Sequence, residues 1–160
     1  MRNKLLVVGG IVIGIFALLM ILISSGNASG YETLRSFEGK MILYKSSTCG
    51  CCEVYSQYFK GKGNSEIEIV TVLDNRRVMD EYNIPGFLES CHTTVVGNYF
   101  VEGHIPLEAI EKLLTENPNI AGIGMPGMPS GSPGMPGPKS GDFVIYGVNY
   151  DGSTFEFMRI

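Results

Sequence analysis

The sequence contains no tryptophan, only two histidines and only four cysteines. Charged residues make up 18% of it; beyond residue 28, 10 Lys and Arg stand against 16 Asp and Glu, a net charge of −6. That balance lacks the basic footprint of a nucleic-acid surface, so a nucleic-acid partner is excluded. No paired general acid and base can be picked out, which points away from an enzyme with turnover. What remains is 160 residues with 44% hydrophobic content, enough for one folded domain and an appendage.

The appendage is at the N-terminus. Leu5 to Ile23 is a run of nineteen residues without a charge, preceded by Arg2 and Lys4. A run of that length can cross a hydrocarbon core of about 30 Å, and the basic flank favours a cytoplasmic N-terminus. The reading is a membrane anchor through residues 5–23 with the rest on the extracytoplasmic side. Gly26-Asn27-Ala28 offers a rival signal-peptide cleavage site, which would release the remainder, but the apolar stretch exceeds the usual signal core of about 7–15 residues. Residues 1–28 thus hold the anchor (or signal peptide) and the start of a short tether that runs over 24–38.

Residues 38–118 read as an α/β core. Lys40 to Lys45 suits a first strand, and Val54, Tyr55, Tyr58 and Phe59 recur at helical spacing after the Cys49–Cys52 turn. A second strand over 66–73 and a short helix over 75–82 follow. Gly97-Asn98 predicts a tight hairpin between Cys91–Val96 and Tyr99–Gly103. Pro106 then opens a helix bearing Leu107, Ile110, Leu113 and Leu114 on one face. The order β-α-β-α-β-β-α is that of a thioredoxin-like mixed sheet with flanking helices. Residues 119–141, rich in Met, Gly and Pro, predict an extended, polyproline-like loop. Residues 142–160 predict a β-hairpin that completes the same domain, turning near Asp151-Gly152.

The candidate chemistry is concentrated in two places. Cys49, Cys51 and Cys52 occupy one turn; Cys91 and His92 lie about forty residues on, with His104 across the hairpin. With Val96 facing Tyr99, Cys91 falls opposite His104 on one face, with Cβ atoms about 4.5–5.5 Å apart, and His92 points to the other face. A Cys–His pair at that distance can chelate a metal. The thioredoxin-like order brings the first turn beside Cys91. There the helix start favours thiolate at Cys49 and Cys52. Thiolates and thioethers select Cu(I), and imidazole suits copper and zinc alike. Met125, Met128 and Met135 would add soft uncharged ligands, against the plain reading that they fill gaps in loop packing. Export makes disulfides the plain alternative for the cysteines, as Cys49–Cys52 or Cys52–Cys91. Three cysteines within four residues are hard to use in that way alone.

Several motifs in order resemble the domain of unknown function 411 family, which is predicted to bind metal. They are Cys49-Gly50-Cys51-Cys52, Ile84-Pro85-Gly86-Phe87-Leu88-Glu89-Ser90-Cys91-His92-Thr93, Tyr99-Phe100-Val101-Glu102-Gly103-His104-Ile105-Pro106 and the Met125–Met135 segment. The resemblance covers roughly residues 40–150 and implies a thioredoxin-like fold with copper or other metal handling at the cell envelope. Where the family has Trp and His on the helix after the cysteine turn, this chain has Tyr55 and Tyr58.

The function expected is an extracytoplasmic soft-metal protein, a chaperone, buffer or resistance factor. It would hold about one Cu(I), or zinc in its place, through Cys49, Cys51, Cys52, Cys91, His92, His104 and the three methionines. Its partners would be the ion, the membrane and another copper protein or transporter. The alternative is a thiol–disulfide oxidoreductase in which Cys49 and Cys52 act as a C-x-x-C pair; Cys51 argues against it, because a vicinal thiol would compete in exchange. A surface domain merely stapled by disulfides is a third reading.

Overall fold

In the computed structural model, residues 30–160 are described, and they build a mixed α/β unit on one seven-stranded sheet with four helices. The apolar segment 5–23 lies outside the described residues; among the described residues no helix is long and apolar enough to cross a membrane. The elements are α1 (Glu32–Arg35), β1 (Met41–Ser46), α2 (Gly50–Lys62), β2 (Glu68–Val72), α3 (Arg76–Glu81), β3 (His92–Val96), β4 (Tyr99–Glu102), α4 (Leu107–Glu116), β5 (Gly122–Gly124), β6 (Val144–Val148) and β7 (Thr154–Arg159). The sheet order is β2-β1-β3-β4-β5-β6-β7. β1 pairs in parallel with β2, and β4 with β5, while the other neighbours are antiparallel.

Alternation in β1 sends Met41, Leu43 and Lys45 inward. The two apolar ones join Tyr55 and Phe59 of α2 and Leu107, Ala109, Ile110 and Leu113 of α4 in the main core. Each large side chain buried there contributes about 1.5–3 kcal/mol. On the opposite face Met79 of α3 and the turn residues Ile84 and Leu88 pack with Phe100 and Val148. β3 and β4 are buried along their whole lengths between these two layers. A site at their ends is therefore held on both sides.

Three expectations are corrected. The tether 24–38 contains α1, whose Leu34 is fully buried and whose Thr33 and Leu34 amides donate to the Glu111 carboxylate of α4 at 2.9 and 2.8 Å. Tyr31, Leu34 and Phe37 all pack on the core at helical spacing, but a single turn in an otherwise polar stretch is too short a pattern to announce a helix. Residues 122–124, placed in the loop, form β5; a Gly-Ile-Gly strand offers no alternation to read.

The Met/Gly/Pro segment is not an extended polyproline stretch. Ser132 Oγ donates to Pro129 O at 2.7 Å, and Ser130 Oγ bonds Pro136 O and Pro138 O at 3.0 and 3.1 Å. The Met135 amide donates to Ser132 O at 2.9 Å. Prolines lack donors but keep carbonyls, so two serines suffice to tie the loop back on itself wherever glycine allows a reversal.

Candidate metal centre

β1 ends at Ser46 and α2 begins at Gly50, so the cysteine turn stands at the C-terminal edge of the sheet. Cys49 is the N-cap of α2, and its Sγ accepts the Cys52 amide at 3.2 Å. β3 runs antiparallel to β1 with His92 opposite Lys45. Cys91, one residue earlier, therefore arrives beside that turn. In the β3–β4 hairpin Val96 faces Tyr99 and Thr93 faces Glu102, and the Gly103 amide extends the ladder to His92 O at 3.2 Å. Cys91 Sγ lies 3.4 Å from His104 Nε2, just beyond the last paired residues of the hairpin.

His92 departs from the expected geometry. Alternation would put it on the face away from His104, yet the two rings stand 4.7 Å apart and His92 Nδ1 is 3.6 Å from Cys91 Sγ. The cause is Gly103. Its φ of +83° ends the strand, so the side chain that follows no longer obeys the pleat. The chain turns there through a bond from the Ile105 amide to Gly103 O at 2.9 Å, and His104 comes round to the side of His92 and α2. Tyr55 of α2 receives both rings, with centroids 4.4 Å from His92 and 5.6 Å from His104.

The sulfurs divide into two sets. Cys49 and Cys52 form a disulfide, while Cys51 and Cys91 are free thiols; Cys52 is not paired with Cys91. Cys51 Sγ sits 3.4 Å from Cys49 Sγ and 4.0 Å from Cys91 Sγ. Two groups with metal-ligand spacing overlap at one atom: Cys49, Cys51, Cys52 and Cys91, and Cys91, His92 and His104, the ligand atoms of each within 4.8 Å of one another. Cys91 is the shared member.

The methionines do not act alike. Met128 is half exposed and its Sδ is 3.8 Å from Cys91 Sγ. Met135 lines a cavity of about 430 Å³ with Gly50, Cys51, Val54, Gly134 and Pro136. Met125 is instead packed in the main core and serves as filling. The loop is seated on α2 at Gly134, φ +83°, where a Cβ would lie 2.8 Å from Cys51 O and 3.0 Å from the Tyr55 amide.

Protonation suits metal capture more than free reactivity. Burial, with His104 beside it, pushes His92 down to about 3, and burial also lowers His104; both rings are neutral ligands at neutral pH. His92 Nε2 is buried with no hydrogen-bond partner in the protein. Burial and the adjacent Cys51 push the Cys91 thiol up to about 11, so a bound cation must displace its proton. The helix-start effect expected at Cys49 and Cys52 has no thiol to act on while they are joined.

Three contributors escaped the sequence reading: Tyr55 as the seat of both rings, the Pro133 carbonyl that accepts from His104 Nδ1 at 2.7 Å, and Glu102. Glu102 is fully buried, and burial raises its carboxyl to about 8. Its Oε1 accepts the Ser90 amide at 2.7 Å and its Oε2 pairs with Thr93 Oγ1 at 2.5 Å, which in turn accepts from Asn75 Nδ2 at 2.7 Å. The quoted motif contained Glu102, but a carboxylate among strand residues ordinarily reads as solvent-facing.

Residues 88–135 match the family model described as protein of unknown function, DUF411. Two solved structures, titled copper resistance protein copG form 1 and form 2, superpose with TM-scores of 0.69. They are 29% and 30% identical to this chain, and each alignment covers 76% of this chain and 97% of theirs. No curated protein matches the chain.

Proposed function

The chain belongs to the DUF411 family of proteins of unknown function, and on that premise we propose that it is a copper-handling protein that holds Cu(I) at the Cys91 end of its sheet. The observation that carries this reading is the position of Cys91 Sγ, 3.4 Å from His104 Nε2, 3.6 Å from His92 Nδ1, 3.8 Å from Met128 Sδ and 4.0 Å from Cys51 Sγ. One thiolate, two neutral imidazoles, a second thiol and a thioether form a soft donor set with little anionic charge, which favours a monovalent soft ion. A Cys₂His₂ subset of these residues would also take zinc, at ligand bonds of roughly 2.0–2.3 Å. Reduction of the Cys49–Cys52 bond adds two sulfurs to the set.

The sheet order with α2 and α4 on one face and α3 on the other supports a thioredoxin-like arrangement. The segment 5–23 anchors the chain, with the metal centre on the extracytoplasmic side. There the protein buffers, delivers or sequesters copper in exchange with another copper protein or a transporter. The copper-resistance titles of the similar structures support this role.

One observation favours a second reading, a thiol–disulfide oxidoreductase: Cys49 and Cys52 are joined as a C-x-x-C disulfide at the start of α2. Anaerobic titration of the full chain in detergent with Cu(I) and with Zn(II), before and after reduction, tests the first reading. An insulin-reduction assay on the same samples tests the second. Tight Cu(I) binding with no insulin reduction supports the copper reading; insulin reduction without tight binding of either ion replaces it.

A further inference from the structure

The first costly feature of this fold that metal binding does not itself use is Glu102. It lies on β4, two residues after Phe100 of the second apolar cluster, fully buried beside the buried polar Thr93 and Asn75, with no cation among the groups that contact its carboxylate. Burial of a carboxyl without a charged partner is unfavourable. What the carboxyl gains is geometric. Its two oxygens reach two points three residues apart, the Ser90 amide and the Thr93 hydroxyl. Between those points lie Cys91 and His92. The backbone of Glu102 adds a third tie, since its carbonyl accepts the Met125 amide at 3.2 Å where the methionine loop departs.

We infer that Glu102 is the positioning residue of the metal centre, a two-pronged clamp that fixes residues 90–93 so that Cys91 Sγ and the His92 ring meet His104. The inference rests on the soft-metal reading above and deepens it. Cys91 precedes β3, one residue beyond the last ladder bond of the hairpin, the Gly103 amide to His92 O. Without the clamp, residues 90–91 lie between the Leu88 amide to Pro85 O bond upstream and the pairing of His92 with Lys45 and Gly103 downstream, and Ser90 itself has no other backbone tie among these. Asn75 extends the network by donating to Thr93 Oγ1, so α3 is tied to the same point. This arrangement is of the kind by which outer partners orient metal ligands, and loss of such a partner lowers metal affinity on the order of 10–100-fold.

The test compares Glu102→Leu, Glu102→Gln and the control Thr94→Val, which removes a buried hydroxyl without a partner from the same strand pair. Cu(I) affinity of the full chain is measured by chelator competition, and thiolate-to-metal charge transfer is followed after Co(II) substitution. Alkylation of Cys91 by iodoacetamide is followed in metal-free protein. The clamp predicts that Glu102→Leu stays folded, binds Cu(I) about 10–100-fold more weakly, loses charge-transfer intensity and exposes Cys91 to faster alkylation. Glu102→Gln, which keeps an acceptor for the Ser90 amide, recovers most of each. Should the leucine variant fail to fold, Glu102→Asp, too short to reach both prongs, takes its place with the same expectation. Wild-type affinity and wild-type Cys91 protection in a folded Glu102→Leu or Glu102→Asp protein overturn the inference, as does an equal loss in Thr94→Val. If the wild type binds no Cu(I), the copper reading fails by itself, and the alkylation rates still decide whether Glu102 holds Cys91.

Discussion

His104 Nδ1 lies 2.7 Å from the carbonyl oxygen of Pro133, so a loop residue twenty-nine positions away in sequence sets the tautomer of the ring. A carbonyl can only accept, which places the proton on Nδ1 and the lone pair on Nε2, facing Cys91 Sγ at 3.4 Å. The methionine loop therefore reaches the Cys91–His104 cluster through the Pro133 carbonyl as well as through Met128 Sδ.

The loop's seat at Gly134 should be intolerant of any side chain. Gly134→Ala requires an unfavourable φ of +83° and pushes a Cβ to 2.8 Å from Cys51 O. We expect a loss of about 1–3 kcal/mol in stability and a weaker Cu(I) complex. Chemical denaturation and chelator competition measure these, and a Gly127→Ala control, also at positive φ but with open space around it, should lose stability while binding copper nearly as well as wild type.

Thiol reactivity should separate the four cysteines. Without reductant, two thiols per chain, Cys51 and Cys91, react with a thiol reagent under denaturing conditions, and reduction raises this to four. In the native metal-free protein Cys91 should lag far behind a small free thiol at pH 8, because burial holds it protonated up to about 11. Peptide mapping after timed alkylation reads both; a Cys91 as fast as free glutathione contradicts the burial described.

The register of the hairpin was legible in the sequence because Gly97-Asn98 is a strong turn signal and fixes the pairs from Val96–Tyr99 to Thr93–Glu102; the Cys91–His104 contact lies beyond them and is completed by the turn at Gly103. The place of His92 was not, since a single glycine at 103 cancels the alternation on which the face assignment rested. The clamp by Glu102 and the core role of Met125 were hidden for a common reason: residue type states a chemistry, while burial decides its use. A glutamate in a strand and a methionine in a loop both read as ordinary until the layers on the two faces of the sheet are in place. The folded-back serine–proline loop was likewise invisible, because its bonds join hydroxyls to carbonyls several residues apart and follow no period.

The metal-free protein should show a stability maximum limited on both sides by buried groups. His92 has its folded value lowered to about 3 from the usual 6.5, so the unfolded chain binds the extra proton and stability is lost as pH falls from about 6.5 towards 3. Glu102 has its value raised from 4.5 to about 8, so its contribution is complete below pH 4.5 and is lost as pH rises through 8. Between 4.5 and 6.5 the two oppose each other. Denaturant midpoints across pH 3–9 should therefore fall on the alkaline side in wild type and remain flatter there in Glu102→Gln. An identical alkaline slope in both proteins contradicts the assignment.

The central claim is that Cys91 is the shared ligand of a soft-metal centre, and Cu(I) affinity under anaerobic chelator competition tests it most directly. The measurement compares reduced wild-type chain with Cys91→Ser. The account predicts tight stoichiometric Cu(I) binding in the wild type and a sharp loss of affinity in the variant, with both proteins equally folded by circular dichroism. Equal affinity in the two proteins, or no tight binding in either, contradicts it.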